Sequence, residues 1–490
     1  MELRAIRALV APLGCALLLL AGGCTAEGEV VARRRVLLVT VDTLRPDYLG
    51  SGGYALPTTP FLDGLFARGH VFTRALSPAP LTTPALASLL TGAYGRTTGV
   101  RELIDRVAPE LATLAELLSA RGFETAAVVT NNVIPAERGL ARGFGVYDYA
   151  GDERDAAETT RAMIEQLRKI GDAERIFAWV HYIDPHMPYV PEPEVARAFD
   201  PEYGGRYALQ FGGDQGWQGR RAFPADLSKG EAVHRNSLPA RVNEHVRRLY
   251  AGDVRRMDDA VAELLGWIRR ELGEDWLVVF TADHGESLGE HDFYFDHGEY
   301  VYNPSLRVPL AFVFPEGDPL HGAGRSDAWV SLVDVFPTLV ELLALPCADV
   351  PGCRPEGRSL VPLLRGEELP AQPIYAESGR SRYPELVRRR VRFDVSGRFR
   401  AVIHGRWKLI WTPGREEGPY ELFDLESDPG EERDLYAPAH PEAERLAALL
   451  QAWSDDEPRA EATASEADLE ALRALGYIDD AERKPAAAPR

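Results

Sequence analysis

Cysteine is scarce in this sequence, with four residues in 490. Cys15 and Cys24 fall in the N-terminal apolar stretch, which leaves Cys347 and Cys353 in "LPCADVPGCRP". A CxxxxxC pair without neighbouring histidine argues little for a metal, and a short loop rich in Pro and Gly suits a structural disulfide. Positive charge is also in deficit: 55 Lys and Arg stand against 75 Asp and Glu, for a formal net charge of -20. No basic stripe is present to neutralise phosphates, so nucleic acid is excluded as a general partner. An anionic substrate must then be held by a local charge such as a metal ion. No internal repeat is visible. What is present is ordinary for a globular protein, with 45% hydrophobic and 27% charged residues and length for a large core. One large domain with an appendage, or two domains, follows.

The N-terminus reads "MELRAIRALVAPLGCALLLLAGGCTAEGEV". Arg4 and Arg7 precede an apolar run too short to span a membrane comfortably, and small residues precede Cys24. Residues 1–23 resemble a bacterial lipoprotein signal with Ala21-Gly22-Gly23-Cys24 as lipobox, and 24–34 are expected to form a linker. This predicts a protein outside the cytoplasm, anchored to a membrane of the bacterial envelope through lipid on Cys24, in the periplasm or at the outer membrane. An ordinary cleaved secretory signal is the alternative, and it gives the same side of the membrane.

Apolar runs that fit buried strands occur at 36–41 (VLLVTV), 125–131 (TAAVVTN), 176–183 (IFAWVHYI), 276–282 (WLVVFTA) and 310–315 (LAFVFP). Helical patterns such as "LATLAELLSARG" and "VRRLYAGDVRRMDDAVAELLGWIRREL" lie between them. Alternating strands and helices predict an α/β fold, a mostly parallel sheet covered on both faces. Residues 190–236 carry no period and much Gly, Pro and aromatic content, which fits a substrate-shaping insertion or a mobile loop. Beyond about residue 370, "RAVIHGRWKLIWT" and "PYELFDLESDPGEERDLY" predict a small antiparallel sheet and terminal helices.

In such a sheet, functional side chains belong just past the carboxyl ends of strands. Three polar clusters sit there: Asp42, Thr43, Arg45 and Asp47 in "VDTLRPD"; His181, Asp184 and His186 in "HYIDPHMPY"; and Asp283, His284, Glu286, His291 and His297 in "TADHGESLGEHDFYFDHG". Each has a bland reading as a cap, a turn or a solvated loop, but together they place acids and imidazoles on one rim. Asp42, Asp283 and His284, with the hydroxyl of Thr82 as fourth ligand, make a mixed oxygen and nitrogen site. It suits one divalent metal, Zn or Mn before Ca or Mg. Thr82 stands in "PLTTPALASLLTG", where Thr83 is expected to cap a helix and Pro84 to occupy its first position. A metal and a helix N-terminus would both favour a Thr82 alkoxide, which makes Thr82 a candidate nucleophile. His186 and His297 are expected to touch substrate oxygens, or with Asp184 to form a second metal subsite. Arg45 and Asp47 are expected to pair structurally. Arg96, Tyr207 and Trp217 are weaker candidates for substrate contact.

The chain resembles the sulfatase family of the alkaline-phosphatase superfamily. The resemblance is carried by "VTVDTLRPD", "TTPALASLLTG", "HYIDPHMPY", "TADHGESLGEHD", "SLVDVFPTLVELL" with "GRSLVPLLRG", "GRWKLI", "ELFDLESDPGE" and "LRALGYI", in family order from about residue 35 to 478. It implies a catalytic domain over 35–370 and a small C-terminal subdomain over 371–478, and the composition of the tail over 479–490 predicts disorder. The departures carry the functional reading. Thr82 stands where desulfating members carry the Cys or Ser that becomes formylglycine, and Leu86 stands where that motif has Arg. Thr43 replaces the second Asp of the family's pair, and His284 replaces its Asn. The set that remains is similar to one metal subsite of the superfamily's phosphatases, phosphodiesterases and phosphoglycerol or phosphoethanolamine transferases, which use Ser or Thr as nucleophile. The resemblance therefore implies a metal-dependent hydrolase or transferase acting on a phosphate ester or diester through a covalent Thr82 intermediate. Alternatives are a sulfuric ester hydrolase on a sulfated glycan or small molecule, and a degenerate anion-binding protein. The partner in each case is an anionic phosphorylated or sulfated small molecule, lipid or glycan.

Overall fold

A computed structural model describes residues 34–151, 154–205, 207–211, 239–345, 347, 350–379, 398–412, 419–454, 465, 466, 468 and 469. The signal with Cys24, most of the linker, the greater part of the 190–236 insertion with Trp217, and the 479–490 tail lie outside them.

Eight strands build the main sheet: β1 (Arg35–Val41), β2 (His70–Leu76), β3 (Glu124–Val129), β4 (Val146–Tyr149), β5 (Ile176–Tyr182), β6 (Trp276–Ala282), β9 (Arg307–Val313) and β10 (Gly324–Ser331), with the two-residue and three-residue strands β7 (Ser287–Leu288) and β8 (Tyr294–Asp296) pairing separately. The order across the sheet is β10-β2-β9-β6-β1-β5-β3-β4. Only β9 runs against the rest, pairing antiparallel with β2 and β6, while the remaining neighbours are parallel. β1 lies between β5 and β6, and all three are buried along almost their whole length. That explains their unbroken apolar sequences, because a parallel strand with helices on both faces has no polar side.

The sequence reading missed β2, β4 and β10. β4 and β10 are the two edges, and their half-exposed residues give no apolar run. The helix predicted around 246–272 is longer, Ala240–Glu271, and its buried stripe includes Val246, Leu249, Val254, Met257, Val261 and Leu264. Asp258 on this helix accepts from the amides of Phe61 (3.0 Å) and Leu62 (2.8 Å) and so caps the helix Pro60–Phe66. The described part of the insertion contains the helix Pro193–Phe199, and Asp200 beyond it accepts from His245 at 2.7 Å.

The C-terminal sheet is an antiparallel meander of β11 (Ile374–Glu377), β12 (Arg400–His404), β13 (Trp407–Trp411) and β14 (Tyr420–Asp424). The helix Pro441–Ser454 covers one face of it, with Leu446, Leu450 and Trp453 packed on Val402, Leu409 and Leu422. Cys347 and Cys353 are joined in a disulfide.

Candidate active site

Asp42 and Asp283 each follow the last residue of a central strand, β1 and β6. The ladder continues one step past both ends: Asp42 N donates to Tyr182 O at 2.9 Å and Asp283 N to Val41 O at 3.2 Å. Sheet hydrogen bonding therefore fixes where the two carboxylates emerge. In each, one oxygen is held by protein. Asp42 Oδ2 accepts from Asn131 Nδ2 at 2.6 Å, and Asp283 Oδ1 accepts from the amides of His284 (2.7 Å) and Thr43 (3.2 Å). Thr43 is in the left-handed region at φ 56, uncommon for a β-branched residue. Its carbonyl accepts from Tyr250 OH at 2.8 Å, which holds that conformation.

The other oxygens, Asp42 Oδ1 and Asp283 Oδ2, are buried and accept no hydrogen bond among the described residues. Both face His284 Nε2, at 3.7 and 3.5 Å. His284 Nδ1 lies 2.9 Å from Gly285 O and must donate to it, so in the neutral ring Nε2 carries the lone pair. Two orphaned carboxylate oxygens and an imidazole lone pair thus converge, all on fully buried residues, with the three ligand atoms within 4.8 Å of one another.

Burial would raise the Asp42 carboxyl, but His186, His181 and His284 draw it down to about 2. Burial, and then the charge on Asp42, push Asp283 up to about 6. At an effective dielectric near 20, two like charges about 5 Å apart repel by about 3 kcal/mol. A divalent cation would remove that repulsion and satisfy both orphaned oxygens, so these residues fit a metal.

Thr82 is the first residue of the helix Thr82–Thr91, and its Oγ1 lies 3.3 Å from His284 Nε2. The helix is wholly buried, and its amino end brings the positive end of the backbone dipole to the site. The expected cap is corrected here. The N-cap is Leu81, with no side-chain capping bond, and Pro84 is the third helical residue. Thr83 Oγ1 instead lies 3.0 Å from both Leu103 O and Val133 O, so two buried carbonyls of neighbouring loops take the hydroxyl that local rules assign to the helix end.

His186 and His297 join this centre. The His297 ring centroid is 4.5 Å from that of His284 and 5.2 Å from that of His186. His297 Nδ1 is 3.1 Å from Glu286 Oε1, and Tyr189 OH donates to Glu286 Oε2 at 3.3 Å. Asp184 does not join. Its oxygens accept from Ala156 N (2.7 Å) and Arg256 Nη1 (2.9 Å), which leaves the alternative of a second metal subsite without its carboxylate. His291 is turned away and stacks on Tyr302 at 3.9 Å. Arg45 and Asp47 pair as expected, at 2.7 Å, and Arg45 also meets Glu290. Arg96 is taken up by Glu356 and the Trp453 carbonyl, and Tyr207 packs edge-on against Phe211. Sequence reasoning gave no role to Asn131, although it ends a run identified as a strand. The rule that singled out Asp42 and Asp283, position at a strand's carboxyl end, would have found it.

Comparison with known proteins gives the family. The sulfatase family model matches residues 34–345, and the model for the C-terminal region of N-sulphoglucosamine sulphohydrolase matches residues 289–453. The chain is 25% identical over 453 residues to a choline-sulfatase of Rhizobium meliloti, covering 82% of each protein. It is 27% identical over 388 residues to human N-sulphoglucosamine sulphohydrolase, covering 73% of this chain and 70% of the relative. Among solved structures, the phosphonate monoester hydrolase of Agrobacterium radiobacter superposes with a TM-score of 0.63 at 22% identity, over 86% of this chain and 95% of that one.

Proposed function

The chain belongs to the sulfatase family, whose members are metal-dependent hydrolases, and from that premise we propose that it cleaves an anionic ester at the centre formed by Asp42, Thr82, Asp283 and His284. The carrying observation is the convergence of the two orphaned carboxylate oxygens on His284 Nε2 beside the Thr82 hydroxyl. A divalent cation held by Asp42, Asp283 and His284 would supply positive charge to the anionic oxygens of the ester. Because an imidazole stands among the oxygen donors, Zn or Mn suits the set better than Ca or Mg.

The relatives are named for the removal of sulfate groups, a choline-sulfatase and an N-sulphoglucosamine sulphohydrolase among them, so a sulfated glycan or small molecule is the first reading. In it, water attacks sulfur and loses a proton to solvent, the Thr82 hydroxyl hydrogen-bonds the sulfuryl group, and the bond from sulfur to the alcohol oxygen breaks as His297 or His186 gives that oxygen a proton. A phosphorylated substrate is the second reading, and Thr82 itself favours it. Sulfated threonine has no second hydroxyl through which to expel sulfate, whereas phosphothreonine is opened by in-line attack of water. In that reading Thr82 loses its proton to solvent, its oxygen bonds phosphorus, and the alcohol leaves protonated by His297 or His186. Water then releases phosphate and restores the hydroxyl.

One assay separates them: turnover of an aryl sulfate, a phosphonate monoester, a phosphate monoester and a phosphodiester by metal-loaded protein, with quenched samples digested to locate a modified residue. Sulfate turnover without label supports the first reading, and label on Thr82 the second. No turnover on any of the four would leave a binding protein. We further propose lipid anchoring at Cys24, for which the apolar run ending in Ala21-Gly22-Gly23 is the support. Mass spectrometry of the native N-terminus tests it, and an unlipidated chain starting beyond Cys24 overturns it.

A further inference from the structure

A metal ligand is useful only if the correct oxygen faces the ion, and on Asp42 something must choose between Oδ1 and Oδ2. Asn131 is placed to choose. It lies two residues past the end of β3 and is 1% exposed. Its own orientation is set by Val133, whose amide donates to Asn131 Oδ1 at 2.9 Å. The amide nitrogen therefore has to be the atom that meets Asp42 Oδ2, at 2.6 Å. With Oδ2 engaged there, and His181 Nε2 3.7 Å from the same atom, the carboxylate has Oδ1 toward His284 Nε2. The donor is neutral, so it orients the carboxylate and leaves its negative charge for a cation, which a lysine or arginine in the same place would cancel. The turn carrying Asn131 is itself anchored, since Val133 O accepts from Thr83 Oγ1 on the Thr82 helix and from Arg138 Nε at 3.3 Å.

We propose that Asn131 is a positioning residue for the cation centre, holding Asp42 by Oδ2 so that Oδ1 is presented to the ion. The inference rests on the reading of Asp42, Asp283 and His284 as metal ligands.

The test uses cobalt(II) added to full-length metal-free protein, with affinity from calorimetry and ligand geometry from the visible absorption of the bound ion. Parent, Asn131→Ala, Asn131→Leu and Asp283→Ala are compared, after thermal melts of the metal-free forms identify which are folded. Folded Asn131 variants are expected to bind cobalt about 10- to 100-fold more weakly than the parent, with altered absorption bands. Leucine nearly matches asparagine in size and serves where alanine leaves a cavity the fold does not tolerate. A folded Asn131 variant that binds within about threefold of the parent, with the parent's spectrum, overturns the role of Asn131 while the metal site stands. A parent that binds no better than Asp283→Ala overturns the metal reading and the inference with it.

Discussion

Thr82 Oγ1 lies 3.3 Å from His284 Nε2 although 202 residues of sequence separate them. That contact places a hydroxyl at the same imidazole nitrogen on which the two orphaned carboxylate oxygens converge. If Thr82 carries the covalent step, Thr82→Ala is expected to lower kcat by at least about a thousandfold, the scale for loss of a nucleophile. Thr82→Ser should retain measurable turnover, because the hydroxyl survives. Thermal melts should show both variants folded, since the described hydrogen bonding of the Thr82 side chain is this one contact. Steady-state kinetics on the best ester of the panel decides, and Thr82→Ala turning over at the parent rate would make Thr82 a structural threonine.

The Asp42–Asp283 pair titrates with apparent values of about 2 and about 6. A cation needs both carboxylates ionised, so below about pH 6 a proton on Asp283 competes with it. Metal affinity should fall by about tenfold per pH unit there and level off above. In the metal-free protein the sign for stability is as follows. The unfolded chain ionises this aspartate near 3.8 and the folded one near 6, so the folded state binds more protons between those values. Stability is present below the window and declines as pH rises through it, by up to about 3 kcal/mol. Asp42, lowered instead of raised, adds stability as pH rises from about 2 to about 4. Calorimetric titrations and denaturant melts from pH 3 to 8, read as the difference between parent and Asp283→Asn, isolate the Asp283 contribution. A variant that keeps the parent's slope would show that Asp283 is not its source.

Thr83 offers a test of the fold. As a helix cap its loss would cost about 1 kcal/mol. As the donor to Leu103 O and Val133 O, its replacement by valine leaves the buried Leu103 carbonyl without its donor, while Val133 O keeps Arg138 Nε, and should cost about 1 to 3 kcal/mol. Thr83→Val keeps the shape, so denaturant unfolding reports the lost hydrogen bonding and not a cavity.

These residues also show what sequence reveals. The runs at 36–41, 176–183 and 276–282 were legible because strands buried on both faces carry one kind of side chain. β4 and β10 were not, because edge strands mix polar and apolar residues to suit a half-wet surface. Asp42, Asp283 and His284 were legible because the topology of a parallel sheet marks its strand ends. Thr83 was misread because capping rules are local, while its partners lie 20 and 50 residues away. The separation of His291 from His297 was invisible for the same reason. The two lie in one short histidine-rich loop, yet one ring stacks on Tyr302 and the other reaches His284.

The last expectation concerns how the C-terminal sheet braces the loop that follows His297. Lys408 on β13 and Glu431 beyond β14 form an ion pair at 0% and 2% exposure. Asn303 bridges them, accepting from Lys408 Nζ on its side chain at 3.2 Å and donating its amide to Glu431 Oε2 at 2.6 Å. Burial pushes the Lys408 ammonium down and the Glu431 carboxylate opposes this, so each charge depends on the other. Removing one partner strands a buried charge, and Lys408→Met or Glu431→Gln alone should destabilise by about 3 to 5 kcal/mol. Removing both charges strands neither, so Lys408→Met with Glu431→Gln should cost clearly less than the sum of the single changes, with a coupling of about 1 to 3 kcal/mol. Denaturant unfolding of the four proteins closes the cycle. Additive costs would mean that the pair is incidental, whereas strong coupling accompanied by lower kcat in the single variants would show that the brace reaches His297 through the segment that begins at Gly298, whose carbonyl accepts from Gly379 N at 3.0 Å.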